Sequence, residues 1–264
     1  MRFIQYYDMA NWEGITACCV AAYSARKNGR LKDCTYTFYY PDYKTLRNNK
    51  LVASVFDEIA PIPEPVNSVI DNLPDWNKDI RIHVRSLCCW RKFLCWLFTP
   101  GDVIFTDYDV VCYGRIDETI PPDGYYISGR RVPLGDEKGK VLNHGMLAKN
   151  KAFDATDMRE IMLETLFNKK AWKISHANWE WHDEASSWWL FNKRGFDGYY
   201  ELDRRFNMFA HEHIWTKKSI ENNDVRLLHY IGGRKPWKKC PKTYRHLIER
   251  WKSLKEEMMN SVLQ

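Results

Sequence analysis

The chain has 264 residues, 45% of them apolar and 15% aromatic, which suits one large domain or two closely fused halves and excludes a disordered polypeptide. Its formal charge of +6 is modest but uneven: from Arg226 to Lys255 ten Lys and Arg residues stand against one acid, Glu249. Such a cluster either attracts a phosphate-rich partner or forms a solvated helix face.

Arg2 to Tyr7 reads as a first strand, with Asp8 to Gly14 as the loop after it. Thr16 to Asn28 has helical composition and Gly29 is its stop signal. Cys34 to Tyr40 is rich in β-formers, and Pro41 ends it. Ile59 to Pro65 holds three prolines and is expected to be an extended connector rather than a helix. Ile80 to Val84 is a further strand, and Ser86 to Phe98 a helix. Pro100-Gly101 then turns the chain into the apolar run Asp102-Val103-Ile104-Phe105, a buried strand that ends at Asp107. Strands alternating with helices over this half predict an α/β fold with a parallel sheet, whose ligands bind at the carboxyl ends of strands.

The second half is less regular. Tyr125 to Ser128 and Leu142 to Leu147 read as short strands, and Asp157 to Asn168 as an amphipathic helix. Leu227 to Ile231 is a short apolar strand, and Tyr244 to Met259 a closing helix with Leu247, Ile248, Trp251 and Leu254 on one face. No internal repeat is present.

Other classes are excluded by what the chain lacks. Met1 to Asp8 carries no apolar leader core and no small-residue cleavage site. The most apolar stretch, Leu87 to Phe98, is broken by Arg91 and Lys92, so no membrane span is expected. The eight cysteines include the adjacent pairs Cys18-Cys19 and Cys88-Cys89 but no Cys-x-x-Cys spacing. They read as reduced, buried residues of a cytoplasmic protein rather than as a disulfide or zinc framework. Most of the twelve tryptophans serve as core filler, and the rest are candidates for stacking on a ligand.

Two segments carry chemistry. Asp107 and Asp109 place two hard carboxylates at the end of a buried strand, a donor set for magnesium or manganese bridging phosphate oxygens. A bare Asp-x-Asp is common in surface loops; the apolar strand before it is what gives it weight, because burying unpaired acids is costly. The second segment runs His229-Tyr230-Ile231-Gly232-Gly233-Arg234-Lys235-Pro236-Trp237. A histidine ending an apolar strand is either a hydrogen-bonded core residue or a ligand. The glycines after it allow the backbone to approach a phosphate, and Lys235 adds a cation.

These residues resemble glycosyltransferase family 8, the glycogenin and bacterial galactosyltransferase type. The family's apolar strand and Asp-x-Asp motif match Val103 to Val111, and its His-x-x-Gly-x-x-Lys-Pro-Trp motif is met by His229, Gly232, Lys235, Pro236 and Trp237. Asn143 to Leu147 resembles the family's donor-sugar segment. Asp183-Glu184 resembles its Asp-Gln pair, and Leu202 to Asn207 a later Leu-Asp-x-Arg-Phe-Asn segment. Two departures are Tyr108, where the family has a small residue, and Glu184, where it has glutamine.

The resemblance implies a GT-A fold: a single nucleotide-sugar-binding α/β domain with a mostly parallel central sheet and a helical C-terminus. Residues 1–112 would form the nucleotide-binding half, 113–240 the donor-sugar and acceptor half, and 241–264 the C-terminal helix. It implies metal-dependent, retaining transfer of a hexose from a nucleotide sugar, of the UDP type, to a hydroxyl acceptor. Asp107, Asp109 and His229 would hold Mn2+ or Mg2+. Tyr7, Asp8, Asn11, Lys92, Asp107, Tyr108, Asn143, Gly232 and Lys235 would bind the donor. Lys235 would also serve the leaving group, and Asp183 and Glu184 are the carboxylates nominated at the reacting sugar. The acceptor is left open between a glycan, a protein and a modified nucleic acid. A non-catalytic sugar- or nucleotide-binding module of the same fold and a basic nucleic-acid-binding protein remain alternatives from other classes.

Overall fold

A computed structural model describes residues 1–71, 84–119, 124–128, 131–134, 137–142, 144–150, 160, 199–210, 213–232, 235–239 and 241–263. In chain order the first half runs β1 (Arg2–Tyr6), α1 (Trp12–Asn28), β2 (Thr35–Tyr39), α2 (Tyr43–Leu46), α3 (Lys50–Val55), β3 (Glu58–Ala60), α4 (Glu64–Asp71), α5 (Val84–Phe98), β4 (Val103–Thr106) and β5 (Val110–Cys112). The second half adds β6 (Tyr125–Ser128), β7 (Arg131–Leu134), β8 (Glu137–Leu142), β9 (Met146–Lys149), β10 (Tyr199–Leu202), β11 (Met208–Phe209), α6 (His213–Glu221), β12 (Leu227–His229) and α7 (Arg245–Leu263).

A seven-stranded sheet in the order β10-β6-β9-β4-β1-β2-β3 forms the centre. Every pairing is parallel except the two made by β9, which runs against both β4 and β6. Its central strands are covered on both faces, so they read as unbroken apolar runs. Side chains alternate between two cores with the strand period of two. Phe3 and Ile104 face α1 and the C-terminal helix, whose Trp251, Leu254 and Met258 join the same cluster. Ile4, Val103 and Phe105 face α5, meeting Trp90, Phe93, Leu94 and Trp96. A small second sheet, β11-β12-β5, lies beside the end of β4, and β12 pairs antiparallel with β5.

Four local readings are corrected. First, α1 starts at Trp12, not Thr16: the Asn11 side chain accepts from Gly14 N at 2.8 Å and caps it. Gly14 is there for proximity, because a Cβ on it would overlap the Tyr7 ring. Second, α4 begins at Glu64, so Pro65 lies in its first turn, where a missing N–H costs nothing. Third, Leu142 to Leu147 is not one strand but the end of β8, a turn at His144-Gly145, and the start of β9. Fourth, Val84, expected to end a strand, opens α5.

The rest of the Ile80 strand and, apart from Glu160, the 157–168 helix lie outside the described residues. Among the described residues no helix is long and apolar enough to cross a membrane.

Beneath this architecture lies a buried lysine. Lys149, at the end of β9, donates to Leu97 O at 2.7 Å and Thr99 O at 2.6 Å, closing the C-terminal end of α5. Burial pulls its pKa down to about 8.

Candidate metal centre

Strand β4 is buried throughout and delivers Asp107 at its carboxyl end. There the backbone turns sharply: Asp107 N donates to Gly145 O at 3.2 Å, and Val110 N donates to Asp107 O at 3.3 Å. The turn aims the carboxylates of Asp107 and Asp109 into one space before β5 begins. In the small sheet His229 stands opposite Val110, and Tyr230 N donates to Asp109 O at 2.8 Å. Pairing of β12 with β5 thus brings the histidine to the acids across more than a hundred residues of chain.

The resulting trio is tight. One ligand atom from each of Asp107, Asp109 and His229 lies within 4.8 Å of the others. His229 Nε2 is 3.3 Å from Asp109 Oδ1 and 3.8 Å from Asp107 Oδ2. His229 and Asp109 are both buried.

On its far side His229 Nδ1 lies 2.8 Å from Asn207 Oδ1. An amide oxygen can only accept, so Nδ1 carries a proton and Nε2 is the nitrogen turned toward the acids, the one a bound metal would take. Gly145 completes this arrangement, because a Cβ on it would run into Asn207 Oδ1 and the His229 ring.

Two lysines flank the acids. Lys92 Nζ is 2.9 Å from Asp107 Oδ1, and Lys235 Nζ contacts Asp109 Oδ2. Burial alone would raise the Asp109 pKa, but the charge of Lys235 and the contact with His229 outweigh it and hold the carboxyl well below the usual range. Two carboxylates and one imidazole, gathered in one space, are the donor set of a hard divalent cation.

Tyr108, between the acids, is half-buried. Its ring packs 5.0 Å from that of Tyr7 and 5.9 Å from that of Trp237, and Lys235 Nζ lies 5.4 Å from its centroid. Burial and the neighbouring Asp109 push its hydroxyl pKa up, so it stays neutral. Its ring joins the β1 end to the Lys235-Pro236-Trp237 turn.

At the end of β1, the Tyr7 hydroxyl accepts from Asn11 Nδ2 at 2.5 Å. Asp8 Oδ2 accepts from the Tyr6 hydroxyl at 2.8 Å and lies 3.8 Å from Arg91. Among the described residues its other oxygen, Oδ1, is buried and meets no N–H or O–H donor, while the Cys88 thiol lies against the same carboxylate. Gly232 adopts φ +67°, a left-handed backbone conformation that glycine takes without strain.

Of the sequence candidates, Lys92, Asp107, Tyr108, Asp109, His229 and Lys235 converge. Tyr7 joins them through the Tyr108 ring, and Asn11 through Tyr7. Asn143, Asp183 and Glu184 lie outside the described residues. Asn207, Gly145 and Arg91 were not among the sequence candidates, although Gly145 lies in the Asn143-to-Leu147 segment. The one sequence signal for Asn207 was its place at the end of the Leu202-to-Asn207 segment.

No protein-family model matches the chain, and no curated protein sequence does. Solved structures do. The galactosyltransferase LgtC, in complex with donor and acceptor sugar analogs, is 16% identical and superposes over 97% of this chain and 96% of its own, with a TM-score of 0.59. An active-site glutamine-to-glutamate variant of LgtC gives 15% identity over 97% and 96% of the two chains, with a TM-score of 0.63. Mouse xyloside xylosyltransferase 1, in its apo form, is 12% identical over 91% of this chain and 99% of that one, with a TM-score of 0.55. The chain therefore has the GT-A fold of these glycosyltransferases.

Proposed function

We propose that this protein is a metal-dependent, retaining glycosyltransferase of the family 8 type, moving a hexose from a UDP-sugar to a hydroxyl acceptor. The observation that carries the reading is the trio Asp107, Asp109 and His229, gathered within 4.8 Å at the carboxyl end of a central strand. Similarity in fold to an enzyme crystallised with donor and acceptor sugar analogs supports the same direction.

The trio would hold Mn2+ or Mg2+, and the bound ion would neutralise charge on the donor diphosphate. The chain's own residues supply the remainder. Lys235, beside Asp109, is placed to put a positive charge on the departing phosphate, and the Gly232 backbone can approach it closely. Asp8, at the end of β1, would accept from an N–H or O–H of the nucleoside. Lys92, tied to Asp107, faces the donor sugar. By resemblance, Asn143 orients that sugar and Asp183 and Glu184 flank its reacting carbon. A carboxylate in place of the family's glutamine makes Glu184 a second candidate nucleophile alongside Asp183.

The test is nucleotide-sugar hydrolysis by the purified chain, screened over UDP-glucose, UDP-galactose and their relatives with manganese. Turnover that disappears with a chelator supports the reading. Tight donor binding with no turnover under any metal would make the protein a binding module of the same fold.

A further inference from the structure

Beside the metal centre, on the far side of Trp237, lies an open groove of about 1190 Å³. It runs between the N-terminal end of α1, the start of α3, the turn after Lys235 and one stripe of α7. That volume exceeds the ~300–1,000 Å³ typical of pockets for a single small ligand, so it suits a chain of linked units. Trp237 is the shared wall: its ring is 5.9 Å from Tyr108 on the metal side and 5.6 Å from Trp251 on the groove side.

Two properties of the lining define the occupant. The first is positive charge spread along the groove. Lys238, Lys239 and Lys242 line one end, and Arg245, Lys252 and Lys255 follow down α7, spanning about 15 Å at 1.5 Å per helical residue. Arg245 is paired with Glu249 at 3.7 Å, but among the described residues no ion pair engages Lys238, Lys239, Lys242 or Lys252. Cations dispersed in this way match several anions in series, not one phosphate.

The second property is a mixture of ring planes and hydrogen-bond acceptors. Trp12, 48% exposed at the groove edge, offers an open aromatic face. Glu13, Glu249, Glu256, Asn48 and Asn49 alternate with the lysines. Carboxylates and amides at these positions accept hydrogen bonds from sugar hydroxyls, which a chain of acidic sugars carries between its charges and a phosphodiester backbone does not. Stacking of successive bases needs a row of exposed rings; here Trp251 is buried and Trp237 half-buried.

We infer that this groove binds an acidic oligosaccharide, the anionic chain of the acceptor, with its acid groups on the lysines and a sugar ring on Trp12. That this chain belongs to the acceptor rests on the transferase reading; binding of the acidic chain is independent of it.

The test is calorimetric titration of the full chain with hexagalacturonate, with the neutral maltohexaose, with a short oligodeoxythymidylate and with inorganic phosphate. The acidic hexasaccharide should bind about tenfold or more tighter than the neutral one at low salt, and the preference should fade as salt rises. The triple variant Lys239→Glu, Lys242→Glu, Lys252→Glu should lose that preference while binding UDP with manganese as the parent does. Trp12→Ala should weaken both hexasaccharides, with circular dichroism confirming the fold. Equal binding of acidic and neutral chains, or binding of neither, overturns the inference. So does tighter binding of the oligonucleotide, which would make the groove a nucleic-acid site, or displacement by inorganic phosphate at matched charge. Failure of donor hydrolysis with hexagalacturonate binding intact would instead remove the transferase reading and leave the groove assignment standing.

Discussion

Asn207 Oδ1 and His229 Nδ1 meet at 2.8 Å behind the Asp107, Asp109 and His229 trio, and this contact sets which nitrogen of the imidazole faces the two acids. Loss of the acceptor frees the ring to rotate and to exchange tautomers. Asn207→Ala should therefore weaken manganese binding about 10–100-fold, read by titration of the metal without any substrate. Asn207→Asp keeps an acceptor at the same place and should restore most of the affinity. If both variants bind manganese like the parent, the asparagine is only packing.

Gly145 makes the same point from the other side. A methyl group there would meet Asn207 Oδ1 and the His229 ring, so Gly145→Ala must push the pair apart. The expected cost is about 1–3 kcal/mol of stability from overpacking, together with a drop in metal affinity. Normal metal affinity at lowered stability would show that the crowding is relieved away from the histidine.

The central strands were legible because burial on both faces leaves a plain mark in sequence. Val103 to Phe105 and Leu227-Leu228 are apolar runs, the first leading through Thr106 to Asp107 and the second straight to His229. What stayed hidden was set through space rather than along the chain. The glycine at position 14 looks like a loop residue, yet it lies inside α1 because the Tyr7 ring needs the room. The turn at Gly145 answers to Asn207 and His229, more than sixty residues away. Pro65 was read as a breaker, although the first turn of a helix accepts it.

Under the proposed function Lys235, beside Asp109, is the cation assigned to the leaving group. Lys235→Ala should lower kcat by about 10²–10³, the scale of removing one preorganised charge-stabilising donor, with a smaller change in KM. Its contact with Asp109 means the variant also removes a neighbour of the metal site. Manganese affinity must therefore be measured in parallel, and Lys235→Arg serves as the charge-preserving control. A raised KM with unchanged kcat would assign Lys235 to binding alone.

Asp109→Asn tests the metal assignment directly. It keeps the volume of the side chain but removes the anion that Lys235 and His229 hold ionised. Manganese-dependent donor turnover should fall to near background while the thermal unfolding profile stays cooperative. Full turnover of this variant in chelator-treated buffer would sink the metal site.

The last expectation concerns Lys149, which holds the end of α5 from beneath. Its pKa falls from the ordinary lysine value of 10.5 to about 8 in the folded protein, because burial disfavours the ammonium form. Between those two values the folded state gives up its proton first, so the unfolded state binds more protons and stability rises with pH. Below about 8 both states are protonated and the contribution is flat. In Lys149→Met the titrating group is gone, and so are the donations to Leu97 O and Thr99 O, a loss of about 1–3 kcal/mol. The gap in unfolding free energy between parent and variant should therefore widen from pH 8 upward. Tyrosines and cysteines that titrate in the same range are common to both proteins and cancel in the difference. A gap that stays constant across this window would mean that Lys149 keeps its charge despite burial.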